Sequence, residues 1–78
     1  MVQIPLSNLT EGAEAVVVGF RGGARLMQKL ADMGFVPGTA VKVIKNQRNG
    51  PMMVSIRGIT LGIGRGVAMK IMVEPRNR

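Results

Sequence analysis

Apolar and polar residues alternate with a period of two in segment after segment of this chain, the spacing of strands that turn one face to a core and the other to water. Residues 13–20 (AEAVVVGF) are rich in β-branched side chains and read as a strand. In 39–45 (TAVKVIK), Val41 and Val43 point one way and Lys42 the other. Residues 52–57 align Met52, Val54 and Ile56 against Met53, Ser55 and Arg57. Residues 59–63 align Ile59, Leu61 and Ile63, and residues 69–73 align Met69, Ile71 and Val73. Turn signals separate these segments: Pro37-Gly38, Asn49-Gly50-Pro51 and Arg57-Gly58.

One stretch has a different period. Over 23–33, Leu26, Leu30 and Met33 recur at i, i+4 and i+7, which predicts a short helix. Gly34 follows as the residue expected at a left-handed C-cap, and Pro37 stops the helix from resuming. Its start is weakly marked, because Gly22-Gly23 offers no side chain for capping. About five antiparallel strands and one short helix, inserted between the first two strands, predict a mainly β fold closed into a small barrel. Residues 1–74 are expected to form the single domain and 75–78 a flexible tail. The expected core joins Leu26, Leu30 and Met33 to Val17, Val41, Val43, Val54, Ile56, Leu61, Ile71 and Val73. A competing reading makes the Leu/Met stripe itself a partner surface.

Composition narrows the chemistry. The chain has no Cys and no His, which removes thiol chemistry, thiolate metal sites and the commonest general base. Its four acids, Glu11, Glu14, Asp32 and Glu74, are scattered, and Ser7 and Ser55 have no base to activate them. A non-enzyme is expected. Gly62-Ile63-Gly64-Arg65-Gly66 misses the dinucleotide fingerprint, because Val67 stands in the wrong place and no helical pattern follows. Gly22-Gly23 beside Arg21 and Arg25 could cradle an anion, but the simpler reading is a sharp turn into the helix.

The N-terminus lacks the charged and apolar regions of a signal peptide, and no apolar run approaches a membrane span. A cytoplasmic protein without membrane insertion is expected.

Charge points to a partner. Eleven Lys and Arg against four Asp and Glu give +7, which favours an anionic surface; the plainer alternative is charge that keeps a small apolar domain in solution. Small basic barrels that bind single-stranded nucleic acid add stacked aromatics to their charge. Here only Phe20 and Phe35 are aromatic, and a core this poor in rings has its own use for them. Binding of RNA or another anionic partner therefore stays the alternative reading, and no specific nucleic acid is expected.

The run Lys29-Leu30-Ala31-Asp32-Met33-Gly34-Phe35-Val36-Pro37-Gly38 resembles the FeoA family, the ferrous iron transport protein A group. That family carries a short helix ending in Leu-x-x-Met/Leu-Gly-apolar-x-Pro-Gly before a strand. The resemblance extends back to Leu6, Leu9 and Gly12, and forward through Gly50-Pro51, Gly58, Leu61, Ile63, Ala68, Ile71 and Val73. One departure is Gly64-Arg65-Gly66-Val67, where the family commonly has charged residues. The resemblance implies an SH3-like barrel and a cytoplasmic accessory of the FeoB-type ferrous iron transporter, a membrane GTPase. The same fold occurs as a domain of iron- and manganese-dependent repressors, but no helix-turn-helix segment is present here. Without His or Cys, only weak binding of Fe2+ or another divalent metal is expected, with no cofactor. A weak homo-oligomer is a further expectation.

The expected partner surface lies on the helix. Met27 falls about 100° from Leu26 on a helical wheel, with Ala24 and Ala31 farther round. Opposite this apolar flank run Arg21, Arg25 and Lys29 at four-residue spacing. An adaptable Met strip beside basic residues suits a contact with an apolar centre and a charged rim, so the surface is assigned to Ala24, Arg25, Met27, Lys29 and Ala31. The plainer alternative is a solvated charged face beside a loosely packed Met.

Overall fold

The computed structural model describes residues 2–76. Six strands form one antiparallel sheet: β1 (Ile4–Pro5), β2 (Glu14–Phe20), β3 (Ala40–Lys45), β4 (Met52–Ile56), β5 (Ile59–Ile63) and β6 (Ile71–Pro75). Helix α1 (Ala24–Asp32) joins β2 to β3, and a single helical turn, α2 (Arg65–Ala68), joins β5 to β6. The strand order is β1-β6-β2-β3-β4-β5. Register shifts between Val17 and Gly19 of β2 and between Val43 and Lys45 of β3 insert one extra residue each. Such bulges bend and twist a strand, and here they curl the sheet into the small barrel that the alternation predicts.

The curl encloses a core of apolar side chains, and among the described residues no polar or charged residue is buried in it. The expected core residues Val17, Leu30, Val41, Val43, Val54, Ile56, Ile71 and Val73 are all buried, and Leu26, Met33 and Leu61 pack half-buried against them. Phe35 is the largest buried side chain, so one of the two rings fills the centre; Phe20 lies half-buried at its edge. Leu6, in a 3-10 turn (Leu6–Asn8), and Ala68 of α2 add to the core from outside the sheet.

How α1 ends decides where it sits. Gly34 has φ +99°, a left-handed conformation that side chains rarely adopt. That turn lets Gly34 N–H donate to Ala31 O (3.0 Å) and Phe35 N–H donate to Leu30 O (2.9 Å), the paired bonds of a Schellman cap. Leu30 and Phe35, the two residues that cap motif brings together, are both buried. Val36-Pro37-Gly38-Thr39 then turns back, with Thr39 N–H on Val36 O (3.1 Å) and Gly38 N–H on Val17 O (2.8 Å), and β3 begins beside β2.

Several expectations need correction. Among the described residues there are six strands rather than about five, because Ile4–Pro5 pairs with β6; α1 is thus inserted between the second and third strands. Two residues are too few to show alternation. Residues 65–68 are helical where no helical pattern was expected, since one turn cannot display a period of 3.6. The last strand consequently starts at Ile71, and Met69 lies in the preceding turn, 56% exposed, instead of on the core face. Ile59 is 59% exposed although it aligns with buried Ile63, because it closes the hairpin at the end of the sheet. The flexible tail expected over 75–78 overlaps β6 at Pro75, and Arg76 N–H donates to Glu14 O (2.9 Å). Residues 77 and 78 lie outside the described residues.

Because Leu30 joins α1 to the barrel, Leu30→Ala is expected to lower unfolding free energy by about 2–5 kcal/mol in urea titration. A loss below about 0.5 kcal/mol, the scale of surface substitutions, would contradict the packing.

Candidate partner-binding face

The five residues of the expected surface all lie on α1 and are exposed. Ala24, Met27 and Ala31 fall at i, i+3 and i+7, a small-residue stripe with Met27 at its middle, 47% exposed. Arg25 and Lys29 stand one turn apart beside it. Arg21 does not join them: it precedes the helix in a bend, where its N–H donates to Lys70 O (2.7 Å). The basic stripe is therefore two residues long. Gln28 Nε2 donates to Asp32 Oδ1 (3.0 Å) on the same exposed helix.

The helix start is a turn. A Cβ on Gly22 would come within 2.9 Å of Leu26 Cδ2, and its φ of +135° suits glycine alone, so the residue is needed for the chain to enter α1. Gly23 is the N-cap, and no side chain caps the helix.

Sequence reasoning missed a cleft. Leu26, Lys29, Leu30 and Met33 of α1 form one wall; Gly62 and Ile63 of β5, Gly64 and Val67 form the other. Its volume is about 210 Å³. Lys29 is the one residue of the expected surface that lines it. The second wall comes from a segment some 35 residues further along, and neither a glycine pair nor a lone Val signals such a meeting. The Leu/Met stripe consequently has two roles: Leu30 is core, while Leu26 and Met33 also face the cleft.

A second missed feature is a hydrogen-bonded hub centred on Asn46. Asn46 Nδ2 donates to Leu9 O (2.6 Å) and Ser7 O (3.1 Å), its N–H donates to Glu11 Oε2 (3.2 Å), and its Oδ1 accepts from Arg65 Nη2 (2.6 Å). Arg65 Nη2 also donates to Gln47 O. One amide thus ties the N-terminal turn, the end of β3 and α2. Arg65 is engaged in this way, so the Gly64-Arg65-Gly66-Val67 departure acts through structure.

Among the described residues, no three of His, Cys, Asp and Glu come close enough together to hold a metal ion. No helix of the structure is long and apolar enough to cross a membrane.

This geometry has relatives. The FeoA domain model matches residues 4–75. The chain belongs to the FeoA family. It is 49% identical over 70 residues to a Methanocaldococcus jannaschii protein bearing the name Fe(2+) transport protein A, an alignment covering 90% of this chain and 84% of that one. A crystal structure of an iron uptake regulatory protein, FeoA, superposes with a TM-score of 0.91 at 35% identity, covering 96% of this chain and all of the other. A manganese-dependent transcriptional repressor shares the fold at 18% identity, with a TM-score of 0.85 over 95% of this chain and 42% of the repressor. The match to FeoA includes the Leu30–Gly34–Pro37-Gly38 run that ends α1.

With its carboxylates scattered, this FeoA-family chain is expected to bind Fe2+ weakly. Anaerobic titration calorimetry should give only weak heats, and submicromolar affinity at one site per chain would contradict this.

Proposed function

We propose that the chain serves ferrous iron transport as a cytoplasmic accessory of a FeoB-type membrane GTPase, acting by protein contact and without chemistry of its own. The observation that carries this reading is the exposed Met27, flanked by Ala24 and Ala31 and bordered by Arg25 and Lys29, on a helix anchored to the barrel at its C-terminal end. Family membership supports the link to iron, and the names of the relatives point the same way. Fe2+ in this account is the transporter's cargo.

The division of labour follows from the side chains. Burying a methionine side chain contributes about 1.5–3 kcal/mol, and its flexible thioether adapts to an imperfect partner surface. Arg25 and Lys29, at the rim, speed association with an acidic partner and choose its orientation more than they add affinity. The remaining positive charge attracts the same partner from a distance.

The test is capture of partners from detergent-solubilised cells by the tagged chain, with and without nuclease. Recovery of a membrane GTPase, insensitive to nuclease, is the expected result. Met27→Glu should abolish capture and Arg25→Glu should weaken it, more so at low salt, while both keep stability within about 0.5 kcal/mol of wild type. Wild-type capture by both variants would remove the α1 flank from the contact. Recovery of RNA that nuclease abolishes would favour the anionic-polymer reading instead.

A further inference from the structure

The two edges of the sheet are unlike. Edge strands present unpaired backbone groups, and proteins normally blunt them with short length, proline, charge or a bulge. β1 is two residues long and ends in Pro5. β5 is five residues long, Ile59-Thr60-Leu61-Gly62-Ile63, with no proline, no charge and a register on β4 unbroken by any shift. It is an unguarded edge.

Its free hydrogen-bonding groups can be assigned from the register. Ile56 pairs with Ile59 across the two-residue turn Arg57-Gly58, whose φ values of 53° and 79° make it type I′. The pair closing such a hairpin is hydrogen-bonded, and antiparallel pairing alternates from there. Ile59, Leu61 and Ile63 thus direct their backbone groups to β4, whereas Thr60 and Gly62 direct theirs outward. Among the described residues, no loop, cap or side chain donates to or accepts from Thr60 or Gly62. Both are exposed. Gly62 also lines the cleft against α1.

We propose that the free edge of β5 and the cleft beside it take an extended, acidic segment of a partner protein as an added strand. This rests on the reading that the chain works through a protein contact, and it assigns the mode of recognition. The segment's backbone pairs with the N–H and C=O groups of Thr60 and Gly62. An apolar side chain enters the cleft between Leu26, Met33 and Val67. The cleft, at about 210 Å³, is below the ~300–1,000 Å³ usual for small-molecule sites, and it fits a side chain better than a cofactor. Alternate residues of an added strand face alternate sides, so apolar positions in the cleft interleave with exposed ones. The +7 charge of the chain favours acidic side chains at the positions that face away from the cleft, while Lys29 borders the apolar side chain on the cleft wall. The +7 charge makes a second copy a poor occupant, because edge-to-edge pairing would bring two strongly positive chains together.

The probe is a synthetic peptide, acetyl-Glu-Leu-Glu-Val-Glu-Leu-Glu-amide, with a control in which every Glu is replaced by Lys. In NMR titration of the full chain, the acidic peptide should shift the amide signals of Thr60, Gly62, Lys29 and Val67. It should also slow amide exchange at Thr60 and Gly62 at least tenfold, whereas the basic control should do neither. Thr60→Pro removes one outward N–H without touching the β4 ladder and should weaken binding at least tenfold; Thr60→Val should not. The wild-type exchange measurement stands whether or not the proline variant folds. Unchanged exchange at both amides in saturating peptide, equal binding of the two peptides, or concentration-dependent dimerisation protecting these amides would each overturn the proposal. Peptide pairing at β5 without capture of a transporter would overturn the partner's identity and leave the edge site. Capture of the transporter with Thr60 and Gly62 exchange unaltered would do the reverse.

Discussion

The junction between Leu30 and Phe35 sets the geometry of the α1–β5 side of this molecule. A nine-residue helix is too short to hold its own shape in water, so α1 depends on where it is anchored. Its N-terminal end has no side-chain cap. At its C-terminal end Gly34 turns left-handed, two backbone bonds close the cap, and Leu30 and Phe35 sink into the core. From that one anchored end follow the outward direction of Met27, the position of Lys29 and the gap that α1 leaves against β5.

The core around the anchor is uniform. Every buried residue among those described is apolar, and with so little aromatic content the volume is filled by aliphatic side chains, a methionine and one phenylalanine. Among the described residues no charged residue is buried as a whole, although the Nε of half-buried Arg65 is shielded from solvent. Three features are displayed outside the core: a basic, Met-bearing helix flank, an apolar cleft and an unguarded strand edge. All three lie on or next to α1 and β5. The chain that carries this arrangement belongs to the FeoA family.

Much of this was legible in the residues. Alternation located five strands, the i, i+4, i+7 spacing located α1, and Gly34 with Pro37-Gly38 located its end, because each depends on neighbours within a few positions. Features built by distant segments were not legible. Asn46 is a loop residue until the fold brings Ser7, Leu9 and Arg65 to it. Gly62 reads as a turn or a weak strand position until β5 becomes the last strand of the sheet and α1 comes to lie beside it. The period-two pattern also misjudged Ile59 and Met69, since alternation gives the facing of a side chain but not whether anything covers it.

The central claim is that the α1–β5 side of the barrel meets the transporter, and in-cell photo-crosslinking tests it most directly. A photoreactive amino acid placed at Met27 should trap the FeoB-type transporter, while the same group at Ile44, an exposed apolar position on β3, should not. Crosslinks to the transporter from Ile44 and none from Met27 would contradict the account.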